Sequence, residues 1–447
     1  MTDIATPTAA NERTEPPNLW RNRSFNLLWS SQLLSDLGTN MSSLAFPLLV
    51  LALTGSAVMA GIVGTGAAVV RLALRLPSGV IADRVDRKRA MILCDAVRLV
   101  AFLALGLLVL SGNATMPLIL ATAMIEAVGS AIFGTIQMAS LRNVVPIAQI
   151  PAAVARDEAR SASASLFGPP LGGVLFSIAR GLPFLGDALS YLCSMIGISL
   201  IRTPMQEKRT EPAASVGSDI REGIRFAVSN PFVRSVMMMA PLINLGFNGM
   251  LFAVIIVLKG EGVAPGLIGT VDTIVAIGGL AGAFAAGPLQ RVIPLRTLVL
   301  SISWLGALLM ASAALLTDSV AVAVPIAVAI FFSPACNAAM FGYQAAITPD
   351  RLQGRVISVL MFTAMSLSAV APLLAGVFYD WLGGPGTVLA FAAIIAVAAT
   401  MATFSKAIRT MREPADIMAD AHAADRRPEA AGEILVTAVM GAETAEP

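Results

Sequence analysis

Five ionisable side chains stand inside segments that are otherwise apolar: Asp36, Arg71, Arg75, Arg98 and Glu126. Unpaired at the centre of a bilayer, each costs about 2.5–3.5 kcal/mol on insertion scales, so their presence points to a function. Counted at about 1.5 Å per residue, Asp36 is expected roughly 16 Å deep, Arg71 roughly 18 Å, Arg75 and Arg98 about 12 Å, and Glu126 near the midplane. Two acids thus face three bases, all in the amino-terminal half. Proton carriage is one chemistry open to them. The single histidine, His422, stands in the tail, so a carboxylate must be the carrier. Permanent neutralisation is the other, with both acids paired to Arg71, Arg75 or Arg98. Arg71, Arg75 and Gly79 step at i+4 and drift about 40° per step, which places Arg75 near a face expected to pack on another helix. Three roles stay open for Arg71 and Arg75: attracting a carboxylate- or catecholate-bearing substrate, gating by pairing in one conformation, and snorkelling to water. Asp95, Asp187 and Asp272 count closer to helix ends and are expected to be wetted.

The elements that must hold these residues are membrane helices. Apolar residues make up 56% of the 447, charged residues 13%, and the mean hydropathy is +0.79, a composition no water-soluble chain of this length carries. About 20 apolar residues cross the hydrocarbon core. Twelve segments qualify, roughly 25–52, 56–81, 90–110, 115–141, 153–179 and 183–202, then 232–258, 265–288, 296–316, 319–345, 356–379 and 385–407. Backbone groups cannot go unpaired in lipid, so an all-α membrane protein is expected. No cleaved leader is expected, the first segment being too long and without a small-residue cleavage site. With the amino terminus inside, 25 of the 30 Lys and Arg fall on the cytoplasmic side. The positive-inside rule then predicts that both termini are cytoplasmic.

The segments repeat. Asp36-Leu37-Gly38-Thr39-Asn40 returns as Asn244-Leu245-Gly246-Phe247-Asn248 at an offset of 208, which also carries Gly79-x-x-x-Asp83 onto Gly287-x-x-x-Arg291. At an offset of 203, Gly168-Pro169-Pro170-Leu171-Gly172-Gly173 maps onto Ala371-Pro372-Leu373-Leu374-Ala375-Gly376. Three matches in order predict two pseudo-symmetric six-helix halves, 21–202 and 232–408, with a site near the midplane between them. A basic linker, 203–231, joins them. In it Ser218 is read as the cap of an amphipathic helix, Asp219 to Ser229, lying on the cytoplasmic surface with Ile220, Ile224 and Val228 on one face. Residues 1–20 and 409–447 lack apolar periodicity and are expected to be disordered.

Between the second and third segments runs Gly79-Val80-Ile81-Ala82-Asp83-Arg84-Val85-Asp86-Arg87-Lys88-Arg89. It resembles the signature loop of the major facilitator superfamily of transporters, in which Gly, Asp, Arg and a basic pair recur at this spacing. Arg23-x-Phe25-x-Leu27-Leu28-Trp29-x-x-Gln32, Gly186-Asp187-Ala188-Leu189-Ser190, Glu222-Gly223-Ile224-Arg225-Phe226 and Leu352-Gln353-Gly354-Arg355-Val356 resemble a bacterial branch of drug, macrolide and siderophore exporters. The likeness runs from about residue 21 to residue 408. It implies the twelve-helix major facilitator fold and a gate at Gly79, Asp83, Arg84 and Arg87, with Arg84 and Arg87 reaching Asp157 or Glu158. It also implies a cavity lined by the first and fourth helices, which makes Asp36 and Glu126 the candidates for proton coupling. Gly168, Pro169, Pro170, Gly172 and Gly173 resemble the fifth-helix motif of antiporters in the superfamily. Physically, the prolines favour a bend and the glycines close packing, and a plain packing kink is the other reading. The chain departs from the family pattern at Ile125-Glu126-Ala127-Val128-Gly129, where no Arg followed by Gln-Gly stands, and in carrying Arg71 and Arg75.

The sequence shows no metal-ligand spacing, catalytic triad or Gly-x-x-x-x-Gly-Lys-[Ser/Thr] phosphate loop. Cys94, Cys193 and Cys336 fall within spans as free packing residues. The expectation is no enzyme, no metal and no cofactor, with energy drawn from a proton gradient. The partners expected are protons, the lipid bilayer and a small amphipathic organic substrate, with no nucleic acid. The chain is expected to act as a monomer in the bacterial inner (plasma) membrane and to export a drug, antibiotic or siderophore by alternating access. A facilitator, a lipid flippase and a non-transporting sensor on the same scaffold are the alternatives.

Overall fold

The computed structural model describes residues 19–75, 77–206 and 216–411, and every regular element among them is a helix. Of the segments expected to be disordered, 1–20 and 409–447, residues 1–18 and 412–447 lie outside the described residues, whereas Leu19–Arg21 and Lys406–Arg409 form short helices. The amino-terminal half comprises α1 (Arg23–Thr54), α2 (Ala57–Leu74), α3 (Pro77–Arg84), α4 (Arg87–Leu110), α5 (Met116–Val144), α6 (Ile150–Ile178) and α7 (Leu182–Ser199). A connecting helix α8 (Val216–Ser229) leads to α9 (Pro231–Gly260), α10 (Pro265–Val292), α11 (Leu295–Ser312), α12 (Ala323–Phe331), α13 (Ser333–Ile347), α14 (Gln353–Ser366), α15 (Ala371–Phe404) and α16 (Lys406–Arg409).

Local chemistry sets the boundaries. Asn22, Ser56, Asp86 and Asn230 each accept a hydrogen bond from a backbone N–H of the helix that follows, satisfying one of its orphan donors. The second span is not continuous as expected. Pro77 has no N–H and crowds the preceding turn, so the span divides into α2 and α3. Gln353 to Phe404 forms one apolar stretch of 52 residues, about 78 Å at 1.5 Å per residue, against about 30 Å of hydrocarbon. Gly383, at φ 70° and ψ −176°, breaks it within α15. The stretch therefore crosses twice, and with the ten other qualifying segments it makes twelve spans.

The repeat is visible in the contacts. At the end of the bundle away from the signature loop, Gly61 of α2 lies on the backbone of Pro372 and Leu373, and Gly269 of α10 lies on that of Pro169 and Pro170. The offsets of 208 and 203 carry the first contact onto the second. Gly376 likewise rests on Ala57 and Val58, and its counterpart Gly173 on Pro265 and Gly266. Thr65 Oγ1 accepts from the Leu373 N–H at 2.9 Å. At the equivalent positions Pro170 has no N–H to give, and Thr273 donates instead to the Leu166 carbonyl at 2.8 Å. Four glycines thus hold two crossed helix pairs, α2 on α15 and α6 on α10, at backbone contact, where any Cβ would clash.

The linker helix begins at Val216, so Ser218 lies inside its first turn rather than ahead of it. Ala227 is buried with Phe232 and Val356, and Glu222 accepts from Arg351 at 2.8 Å and from Arg355. α8 is therefore fastened to α9 and α14, with Ile224 and Val228 left exposed.

Candidate functional site: a cavity between the halves

α1, α2 and α5 of one half and α9, α10 and α15 of the other enclose a cavity of about 540 Å³, within the range of small-molecule sites. Ala60, Gly64 and Pro372 are among its lining residues, so the helix contacts described above form its floor. At the signature-loop end no such approach is made. A Cβ placed on Gly79, Gly134, Gly287, Gly342 or Gly354 meets nothing within 4 Å. The cavity is closed at its floor, while the glycine faces at the loop end are unpacked.

Its wall is largely apolar, with Phe46, Val63, Leu251, Phe252 and Ile255. Into this wall the sequence places a few polar groups. Asn40 and Asn248, equivalent in the repeat, each donate to the carbonyl four residues back, at 2.7 and 2.8 Å. Arg71 Nη1 donates to Glu126 Oε2 at 2.8 Å, the acid 8% exposed and the base 48%. Asp272 of α10 is the one acid that the second half contributes among the described lining residues, and no hydrogen bond or ion pair holds it.

The remaining embedded charges lie behind the wall of the first half. Asp36 pairs with Arg160, not with Arg71, Arg75 or Arg98 as the neutralisation reading required, and Arg160 also holds Asp157 at 2.9 Å. Arg160, counted in the sequence among loop cations, is 4% exposed because α6 starts at Ile150 and carries it well inside. Arg98 pairs with Asp95, and its guanidinium lies 4.3 Å from the Tyr191 ring centre and 5.1 Å from that of Phe133. Gly129 leaves room for that side chain. Asp95 and Asp187, expected to be wetted, are both fully buried. Asp187 accepts from Ser42 at 2.6 Å, Ser190 at 3.0 Å and Tyr191 at 3.3 Å.

The signature loop is built differently from the expectation. Arg87 Nη1 donates to the Ala139 and Met205 carbonyls and to Asn143 Oδ1, all near 3 Å, rather than to Asp157 or Glu158. Asp157 is already engaged by Arg160 and Gln137. Lys88 Nζ donates to the Ser199 and Ile201 carbonyls at 2.8 and 2.7 Å, at the C-terminal end of α7, where unpaired carbonyls and the helix dipole favour a cation. Asp83 and Arg84 are exposed in the last turn of α3. Arg75 is exposed as well, and the face carrying Gly79 is unpacked, contrary to the i+4 argument. The break at Pro77 interrupts the periodicity that argument needed. Gly168, Pro169, Pro170, Gly172 and Gly173 form the part of α6 that meets α1 and α10, Gly172 resting on the backbone of Met41.

Sequence reasoning placed Glu126 and Arg71 in one site but passed over Asp187 and Asp272. A signal was present for the first. Asp187, Ser190 and Tyr191 are spaced i, i+3 and i+4, so an acid and two hydroxyls share one helix face.

Comparison with known proteins agrees with this architecture. The chain is 26% identical over 402 residues to the multidrug efflux pump Tap of Mycolicibacterium fortuitum, covering 86% of this chain and 96% of that one. Among solved structures, a bacterial homolog of the human lysosomal transporter Spinster, inward-facing and unoccupied, superposes with a TM-score of 0.68 at 16% identity, covering 88% of this chain and 98% of that one. A POT family transporter in complex with a thioalcohol-conjugated peptide gives 0.64 at 13% identity, covering 86% and 96%. The family model described as transmembrane secretion effector matches residues 16–438. The chain is thus a multi-pass transporter, not an enzyme, and belongs to the transmembrane secretion effector family of the major facilitator superfamily.

Proposed function

We propose that the chain is a proton-driven exporter of a small amphipathic organic compound, a drug, antibiotic or siderophore, in the bacterial inner membrane with both termini cytoplasmic. The observation that carries this reading is an apolar cavity between the halves, floored by the glycine contacts at the end away from the basic loop, whose wall holds the Arg71–Glu126 ion pair. Apolar surface draws the substrate in from the cytoplasm. The ion pair supplies a group whose partner changes with protonation. A proton on Glu126 removes the charge that holds Arg71, and the freed guanidinium then meets substrate or water. Asp36, Arg160 and Asp157 share one cation between two acids and tie α1 to α6, the helix that carries half of the seal. Alternation parts the four glycine contacts and brings the loop-end faces together. Gly79, where an added Cβ meets nothing within 4 Å in this state, closes against the second half in the other and brings Asp83 with it. Resemblance to the multidrug pump Tap supports the direction and the broad substrate class.

The test is transport by purified protein in proteoliposomes under an imposed pH gradient, with ethidium as the amphipathic probe. Gradient-driven movement is expected, lost in Glu126→Gln while ethidium counterflow persists. Movement indifferent to the gradient would refute the coupling and leave a facilitator.

A further inference from the structure

Among the described residues, every embedded acid of the first half is paired with a cation except one. Asp36 has Arg160, Asp95 has Arg98 and Glu126 has Arg71. Asp187 is fully buried and is held by three hydroxyls alone. A carboxylate without a cation in an apolar interior is the least costly of the set to neutralise by a proton.

Two hydroxyl routes connect it to the cavity. Ser42, which lines the cavity, donates directly to Asp187 Oδ2. Thr39, which also lines it, bonds the Tyr191 hydroxyl at 3.3 Å, and Tyr191 donates to the same oxygen. The ionisable groups that face Asp187 are Arg98 with its partner Asp95 from α4, Glu126 from α5 and Tyr191 from α7 itself. α1 presents no ionisable group among the described contacts, only the hydroxyls, Met41 and Gly38, which lies against Asp187 and Ser190. α6 meets this turn through Leu175.

The second half serves as an internal control for packing. The offset of 208 carries Gly38 onto Gly246, Asp187 onto Ile395, Ser42 onto Met250, Ser190 onto Ala398, Tyr191 onto Ala399 and Arg98 onto Gly306. Gly246 lies on Ile395 just as Gly38 lies on Asp187. The helix contact is therefore made with apolar residues in one half, and the polar network of the other is not required to build it.

We propose that Asp187 is a proton-binding site, loaded from the central cavity through Ser42. The Ser42 hydroxyl hydrogen passes to Oδ2 while Oγ takes a proton from hydronium in the cavity, which leaves as water, so a neutral carboxyl and an intact hydroxyl remain. The Ser42–Asp187 bond is thereby reversed, Oδ2–H now donating to Oγ while the Ser42 hydroxyl hydrogen turns toward the cavity. The charge-assisted hold of α7 on the cavity-lining face of α1 becomes a weaker neutral one. The site deepens the proton-coupled reading above and rests on it for its role in transport.

The test is infrared difference spectroscopy of the purified full chain between acidic and alkaline pH. A titrating component of the protonated-carboxyl band is expected in the unmodified protein and in Glu126→Gln, and is expected to vanish in Asp187→Asn. Persistence of that component in a folded Asp187→Asn protein overturns the proposal. Should that variant fail to fold, Ser42→Ala combined with Thr39→Val leaves the acid in place and closes both routes. The band should then appear after a pH jump more slowly by on the order of a hundredfold, and unchanged kinetics overturn the proposal equally. Ethidium transport under a pH gradient separates the two readings. Gradient-driven movement with a band indifferent to Asp187 leaves the exporter standing without this site. A band lost in Asp187→Asn together with gradient-indifferent movement leaves the site standing without proton-driven export.

Discussion

Replacing Gly61 by Ala should unlock the sealed end of the bundle. The new methyl carbon would stand 2.5 Å from the Pro372 carbonyl oxygen and 2.8 Å from Leu373 Cα. Carbon pairs rest at about 3.5–4.0 Å, so α2 and α15 must part by roughly 1 Å. The Thr65–Leu373 bond, 2.9 Å long and one turn further on, stretches with them beyond hydrogen-bond range. Overpacking of this kind costs about 1–3 kcal/mol. The opposite access state separates these faces and bears none of that cost, so the ratio of the two states shifts by about fivefold to 150-fold. The assay is labelling of Ser368→Cys, a cavity position, by a membrane-impermeant maleimide applied from either side, with Cys94, Cys193 and Cys336 replaced by Ser. Reaction from the loop end is expected in the background protein. Gly61→Ala should transfer it to the far side at least by the lower factor, and Gly269→Ala, its counterpart in the repeat, should do the same. Gly79→Ala meets open space and should leave the sealed state untouched. Equal labelling ratios in Gly61→Ala and Gly79→Ala, with both proteins intact, would refute the reasoning.

Two further outcomes concern stability, read as thermal unfolding in detergent. Arg160→Met leaves Asp36 and Asp157 without their shared cation, a loss of about 3 kcal/mol, at the low end for a broken buried pair because both acids are partly exposed. Adding Asp36→Asn should restore much of it, and a lack of rescue would show that the pair is not the cause. Gly383→Ala forces a side chain into a backbone region reserved for glycine, so a loss of about 1–3 kcal/mol is expected. An unchanged melting point would mean that the turn between the last two spans relaxes freely.

Much of the fold was legible because membrane spans are announced by apolar length alone, and because the repeat offsets of 208 and 203 register contacts as well as residues. The site was legible only in depth. Counting along a helix ranks how far a residue lies from its end, but it does not give the direction the side chain faces or what covers it. Counting along α1 gave Asp36 no partner, because Arg160, although inside the predicted span 153–179, was counted among the cytoplasmic cations. Asp187 stands only five residues into α7 and is nevertheless fully buried, since Gly38 of a distant segment lies directly on it. The break at Pro77 shows the same limit from the other side. One proline was enough to cancel an i+4 relation between Arg75 and Gly79 that a continuous helix would have kept.

The two halves share their mechanics and differ in their electrostatics. The seal is symmetric to the residue, Gly61 on Pro372 against Gly269 on Pro169, and Gly376 on Ala57 against Gly173 on Pro265. Neither half can leave the sealed state without releasing equivalent contacts of the other, which favours concerted rocking over independent motion of one gate. The charges obey no such symmetry. Asp36, Arg71, Arg98 and Asp187 are matched at the offset of 208 by Asn244, Gly279, Gly306 and Ile395. The second half returns a single acid to the cavity, Asp272, where the first has Gly64. A symmetric hinge has no preferred direction of its own. Under the proposed proton-driven export, the bias between its two states comes chiefly from the half that holds the larger titratable network, acting through α1, which carries Asp36, touches Asp187 through Gly38 and lines the cavity with Asn40 and Ser42. On that proposal α1 is the helix through which a proton in the first half reaches a substrate held between the two.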